Sequence, residues 1–316
     1  MHFMIASPPS NSLPCRKVPG IKTSELSYRN NMTDQENGQH VEEPTVWSES
    51  ELKLPELLFD DGVRRLHEAI EKEWDTLQQS ACQMAAGRAL WKHVTRDPLA
   101  EVLAGETYLR NFHEKIRKDC LNKAPQVSGV ILAVRTLWFD AQLKAALESF
   151  QGKGAQVVLL GAGMDMRAFR LGYLKNSDIF EEKTMTAKSL TRVAADLRDE
   201  DWPGKLQSLG FEPERNTVWI LEDFMNKATK LSSSTYSFYS DWPDQLLPSL
   251  GFSDVRLSQI GDPDAHFGLL QNPSNLFNKL RSIPRSVETN PDDGTPCCRL
   301  YLVKASKFPN PNKISP

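Results

Sequence analysis

This chain lacks what several protein classes require. No apolar run approaches the roughly 18 residues that a membrane-spanning helix needs, and mean hydropathy is −0.46. There is no basic excess: 38 Lys and Arg stand against 41 Asp and Glu, for a net charge of −3. Nucleic-acid binding leaves a basic footprint, so neither nucleic acid nor a membrane is an expected partner. Cysteine is sparse, with five in 316 residues. Cys15, Cys82 and Cys120 are scattered, and Cys297 and Cys298 are adjacent. That pattern suits neither a disulfide framework nor a zinc site, and it fits a reducing compartment. No metal-ligand spacing occurs along the chain, so no metal is expected. The remaining composition supports a globular core: 40% hydrophobic and 25% charged residues exclude wholesale disorder.

Residues 1–47 are rich in Ser, Pro, Asn and Gln without apolar periodicity, and read as a disordered tail. The first 24 residues hold no acid and carry Arg16, Lys17 and Lys22. They weakly resemble a plastid or mitochondrial transit peptide. The expected location is the cytoplasm, with that targeting as the variant reading. Residues 48–150 read as a helical cap with no strand. Leu66, Ala69, Ile70, Trp74 and Leu77 recur every three or four positions and predict one buried helix face. A second helix is expected over 80–95, with Ala81, Met84, Ala85, Ala89 and Leu90 on its buried side. Asp97-Pro98 breaks the helix and restarts a short one through Leu103. Further helices are expected over 108–118 and 127–150.

The pattern then changes. Gln156-Val157-Val158-Leu159-Leu160 is a short apolar run followed by Gly161-Ala162-Gly163. Such a run reads as a strand buried on both faces, the signature of a parallel sheet. Further strands are expected at 178–180, 192–196, 217–221, 254–257 and 299–303, the last two pairing antiparallel at one edge. Strands alternating with helices predict an α/β, doubly wound sheet over 151–306. Residues 307–316 read as a second disordered tail.

The Gly-x-Gly turn lets backbone approach a ligand, since neither glycine carries a Cβ. Ligands of open α/β sheets bind at the carboxyl ends of the strands. The third glycine of the dinucleotide fingerprint is absent, and Asp165 stands at the mouth. An acid there repels a pyrophosphate and tolerates the sulfonium and ammonium of S-adenosylmethionine. This argues against a nicotinamide dehydrogenase. Glu181, Asp196 and Glu222 close the next three expected strands. The Glu181 carboxylate can accept hydrogen bonds from both ribose hydroxyls. His266 is the histidine nearest a rim loop and reads as structural.

The run from Val157 to Leu171 resembles the signature of the leucine carboxyl methyltransferase family. So do Ser80-Ala81 through Arg88-Ala89, Asp97-Pro98-Leu99-Ala100, Leu103-Ala104-Gly105, and Val134 through Asp140. The cap segments are similar to the bacterial and plant branch, and the resemblance covers roughly 66–304. It implies a Rossmann-like class I methyltransferase sheet with an N-terminal helical cap, using S-adenosyl-L-methionine. Arg135 would pair with the cofactor's methionine carboxylate, and Gly161, Ala162 and Gly163 would line the cofactor with Asp165 nearby. Asp196 and Leu197 would flank the adenine, Glu181 would face the ribose, and Glu222 would sit beneath the methionyl part. The family includes the enzyme that methylates the C-terminal leucine of protein phosphatase 2A. The implied acceptor is therefore a small-molecule or protein carboxylate, a phosphatase tail among the candidates, or a hydroxyl. An activated methyl donor and a carboxylate nucleophile need no general base, so no catalytic residue is assigned.

Two stretches depart from the family pattern. Eleven residues separate Phe180 from Arg192 (192 − 180 − 1), whereas a parallel crossover takes about a dozen or more. The ribose-binding Asp that follows Phe-Glu in the family is replaced in Phe180-Glu181-Glu182-Lys183. The family's fourth strand is followed by a helix and a fifth strand. Here Glu222 runs directly into Asp223-Phe224-Met225-Asn226-Lys227, which resembles the segment after that fifth strand. Loss of a central strand opens a sheet and exposes its edges. The sheet is therefore expected to be incomplete. The alternative function is a truncated relative with weak or no catalysis that acts at most as a binding protein.

Overall fold

The computed structural model describes residues 2–6, 52–121, 127–150, 154–171, 189–196, 199–222, 242–270 and 301–307. Two of its helices start where the sequence offers side-chain caps. The Asp60 side chain accepts from the N–H groups of Gly62 (2.8 Å) and Val63 (3.1 Å), opening α1, Asp61–Glu73. Asp75 and Gln78 form a reciprocal capping box at the start of α2, Thr76–Leu90. A short α3, Lys92–Thr95, ends at Arg96 in the left-handed region, before Asp97-Pro98. Then come α4, Ala100–Leu121, and α5, Val127–Ser149.

α2 and α4 approach closely because their contact is built from Ala85, Ala86, Ala89, Ala100 and Ala104, with Leu58 and Leu109 closing the cluster. The face expected over 66–77 is only partly right. Ile70 is buried, but Leu66 is 59% exposed; α1 packs against the short 3-10 turn Glu56–Phe59 and reaches α4 through His67.

α4 is kinked at Gly105, whose φ of 77° and ψ of 161° lie outside the helical region. A Cβ there would stand 2.6 Å from His67 Nδ1. His67 is fixed by donating from Nε2 to the Val102 carbonyl at 2.8 Å. Gly105→Ala therefore combines a positive-φ penalty with a clash. It is expected to destabilise the fold by about 1–3 kcal/mol, read from urea unfolding midpoints. A cost below about 0.5 kcal/mol would mean that the kink straightens freely.

The sheet has five strands among the described residues, in the order β2-β3-β1-β5-β4. They are β1 His2–Ala6, β2 Gln156–Leu160, β3 Thr217–Leu221, β4 Ser253–Gln259 and β5 Tyr301–Ser306. β2 and β3 run parallel, with Leu160 opposite Leu221. β4 and β5 pair antiparallel, as their sequences predict. Short helices α6 (Arg167–Arg170), α7 (Trp202–Ser208) and α8 (Pro243–Ser249) complete the described elements.

α5 lies against one sheet face and buries Val134, Trp138, Phe139 and Leu143 on Val218, Ile220 and Leu302. The opposite face packs Leu221, Tyr301 and Val303 on Leu247 of α8. Trp219 sits edge-on to Trp202 and Phe211. β3 is buried at every position.

The structure differs from the sequence reading in three places. Residues 192–196 form no strand; Arg192, Ala194 and Ala195 are exposed, and an exposed segment gains little from the β-preference of Val193. β2 is half-buried and not fully buried: Val157 and Leu159 pack on the α5 side and Leu160 on the opposite side, but among the described residues the strand is the sheet's edge. The reading of 1–47 as a disordered tail misses the strand His2–Ala6. The expected strand at 178–180 and both short connections lie outside the described residues. Among the described residues, no helix is long and apolar enough to cross a membrane.

Candidate functional site

Because β2 and β3 are parallel and in register, Gly161 and Glu222 leave the sheet at the same edge, one residue beyond the Leu160–Leu221 pair. Gly161 (φ 63°) and Gly163 (φ 50°) both adopt left-handed backbone, which selects glycine in this turn. The Asp165 N–H donates to the Ala162 carbonyl at 2.9 Å and closes the loop. Among the described residues, a Cβ on Gly161 would meet no heavy atom within 4 Å, so none of them closes over the turn. Gly163 differs: its Cβ would lie 3.1 Å from that of Ala81, so the turn packs against α2 of the helical half.

Around this opening stands a neutral cluster of four arginines and four acids. Arg167 is its centre, 3% exposed. Its guanidinium pairs with Asp165 and Glu222 and donates from Nε to Asp140 Oδ1 at 2.8 Å. Its backbone N–H donates to Asp165 Oδ1 at 2.8 Å, and its charge lies 5.6 Å from the Phe139 ring centre. Arg170 grips Asp140 with two nitrogens, at 2.6 and 2.9 Å. Arg88 binds Asp97 at 2.9 Å and the Met164 carbonyl at 2.7 Å, tying α2 to the glycine turn. Arg135, on α5, forms an ion pair with Glu222 at 3.6 Å and donates to Met84 Sδ at 3.6 Å.

Burial alone would raise the Asp165 carboxyl. The charge and N–H of Arg167, with Arg170 and Arg88 beyond, outweigh it and hold the group below its ordinary value. Burial likewise works against the Arg167 cation, but Asp165, Glu222 and Asp140 keep it firmly protonated. A carboxyl with a lowered folded-state pKa adds stability that is present above its unfolded pKa and lost as pH falls through the folded value. The stability gap between the native chain and Asp165→Asn is therefore expected to be constant at pH 6–8. It should shrink only below the ordinary carboxylate value of 3.8, as read by urea melts at a series of pH values. A gap that already closes near pH 6 would contradict the ion-paired assignment.

The structure thus brings together Arg135, Gly161, Ala162, Gly163, Asp165 and Glu222. Asp196 is not among them as expected: it lies in non-strand backbone over 189–196, where its carbonyl accepts from the Asp199 N–H at 3.1 Å. Glu181 and Leu197 fall outside the described residues. The sequence reading missed Arg88, Asp140, Arg167 and Arg170. The available signal was two arginines three positions apart, directly after the glycine turn. His266 accepts at Nδ1 from the Gly268 N–H at 2.9 Å, a local turn contact. No group of three or more His, Cys, Asp or Glu is placed to hold a metal among the described residues.

Comparison with known proteins first gives the class. The chain is 31% identical over 191 residues to a candidate S-adenosyl-L-methionine-dependent methyltransferase of Mycobacteroides abscessus, covering 49% of this chain and 60% of that protein. A similarly named Frankia alni protein is 36% identical over 175 residues, 48% of this chain and 58% of that one. One from Mycolicibacterium vanbaalenii is 27% identical over 256 residues, 67% and 82% of the two chains. Residues 81–225 match the leucine carboxyl methyltransferase family model. The match spans little more than half the length of the Mycobacteroides and Frankia relatives. No solved structure matches.

Proposed function

We propose that this chain is an S-adenosyl-L-methionine-dependent methyltransferase that O-methylates a carboxylate or hydroxyl. The observation that carries the reading is the left-handed Gly161 turn beside Glu222, uncovered by any described residue, at the ends of two parallel strands inside the matched segment. A helical half packed on the glycine turn through Ala81 and Arg88 supports an N-terminal cap. The β2–β3 parallel pair with an antiparallel β4–β5 edge supports a Rossmann-like, doubly wound sheet. Bacterial relatives support the bacterial and plant branch.

The residues present fit the cofactor's chemistry. Gly161 leaves its backbone approachable, Arg135 offers a fork for an amino-acid carboxylate, and Asp165 and Glu222 favour cationic groups. When bound, the cofactor supplies an activated methyl group on a sulfonium. The chain's part is to hold the acceptor in line and exclude water, which proximity and orientation make sufficient when the acceptor is already ionised. The acceptor class is a small-molecule carboxylate or a protein C-terminus such as a phosphatase tail, encountered in the cytoplasm, with no nucleic acid or membrane involved.

Calorimetric titration of this chain with S-adenosylhomocysteine tests the reading. Micromolar dissociation is the expected result. No binding at millimolar ligand overturns it and favours the second reading, a truncated relative without catalysis. One observation speaks for that second reading: Asp165 and Glu222 are already committed to Arg167.

A further inference from the structure

The strand at the middle of the sheet comes from the chain's first residues. β1 runs parallel to β3, with His2 opposite Val218 and Ile5 opposite Leu221. On its other side it runs antiparallel to β5, with His2 opposite Ser306 and Ala6 opposite Leu302. Neither neighbour is close in sequence, and no hairpin turn joins β1 to either. Forty-five residues, 7–51, stand between β1 and the next described residue, Leu52. A tether of that length spans up to roughly 150 Å when extended, so it sets no register. Pairing with β3 and β5 does.

Without β1, β3 and β5 would stand two strand spacings apart, roughly 9–10 Å. Their facing N–H and C=O groups would lose their partners in a place that water does not reach: Val218 is 0% and Leu302 1% exposed. Buried backbone polar groups are almost always paired, so a vacant slot there would not persist. α5 also lies across β1, β3 and β5 and would lose part of its floor.

We infer that the sheet formed by residues 156–306 is incomplete by itself and carries a strand-accepting slot between β3 and β5. Residues 2–6 of the same chain fill it as a separable complementing strand. This is strand insertion between two facing strands, with main-chain bonds on both sides. The proposal is independent of any methyl transfer. It has two consequences. Cleavage of the N-terminus as a targeting leader would remove a central strand. And because Ile5 pairs with the residue directly before Glu222, the slot's occupancy sets the carboxyl end of β3.

Hydrogen exchange on the intact chain is the first test. The amides of residues 3–5 are expected to be protected to within about tenfold of those of 218–221. Exchange at 3–5 within seconds, like an unstructured segment, overturns the proposal. So does protection that disappears on dilution, because it would place the strand in a second copy. The second test uses a chain lacking residues 2–6. Exchange at 218–221 should accelerate on the order of 100-fold or more. A synthetic peptide covering residues 1–8 should restore the protection saturably, and the same peptide with Met4→Pro should not. Unchanged exchange in the shortened chain overturns the proposal. If the shortened chain does not fold alone, its recovery by the wild-type peptide but not the Met4→Pro peptide supports the slot. Equal recovery or equal failure with both peptides overturns it.

Discussion

Arg167→Met is expected to destabilise the protein by about 3–5 kcal/mol, the usual loss when one member of a buried ionic cluster is removed. Methionine fills most of the arginine's volume, so the effect is electrostatic. Asp140, Asp165 and Glu222 converge on this one guanidinium, and the side chain is 4% exposed. Without it, Asp165 loses its direct ion pair, while Asp140 keeps Arg170 and Glu222 keeps Arg135, so burial penalises three crowded charges with less compensation. The deficit should therefore shrink as pH is lowered and the carboxyls take up protons, opposite to the acid sensitivity of the native chain. Arg167→Lys should fall between the two: it keeps the charge but cannot reach three acids with one planar fork. Chemical unfolding at pH 7 and pH 4 reads all three. A loss below about 1 kcal/mol for Arg167→Met at pH 7 would mean that the cluster is effectively solvated.

The second large effect belongs to Trp138. It is 1% exposed, lies in the core between α5 and the sheet, and meets Phe139 edge-to-face at 5.3 Å. Trp138→Ala should cost about 3–5 kcal/mol through lost burial plus the cavity left behind. The indole Nε1 has no hydrogen-bond partner among the described residues, so Trp138→Phe breaks no bond and should cost less than half as much. Leu66→Ala is the control, because a side chain 59% exposed should change stability by about 0.5 kcal/mol or less. Thermal and urea unfolding of the three variants gives the comparison. Equal losses for Ala and Phe at 138 would show that the indole ring, and not the filled volume, matters there.

Much of this was legible in the residues. The run 156–160 ending in Gly-x-Gly is a strand and a left-handed turn, as its composition requires, and 217–221 and the 253–259 with 301–306 pair follow the same logic. Helix starts at Asp60 and Asp75 could be read from their short acceptor side chains. Arg135 stands out in sequence only through the family resemblance, since an isolated arginine on a helix is ordinarily a surface residue. Its burial beside Glu222 depends on α5 lying over β3. The misread places share a cause. Arg192 to Asp196 looks like a strand by residue type, but β-propensity reports packing on a buried face, and that stretch has none. Leu66 fits an apolar stripe, yet it is left 59% exposed because the described residues give it no full partner.

The sequence by itself determined the local elements, the alternation that makes the chain α/β, the glycine turn and the family segment. These follow from short-range sterics, periodicity and capping, which act within a few residues. Only the tertiary structure decided that Arg167 gathers acids from three separate segments into one neutral cluster. It also decided that the strand between β3 and β5 comes from residues 2–6. Both depend on contacts between positions far apart in the chain, where what pairs is set by strand register and by exclusion of water; the arginine pair after the glycine turn marks the cluster's place but not its partners.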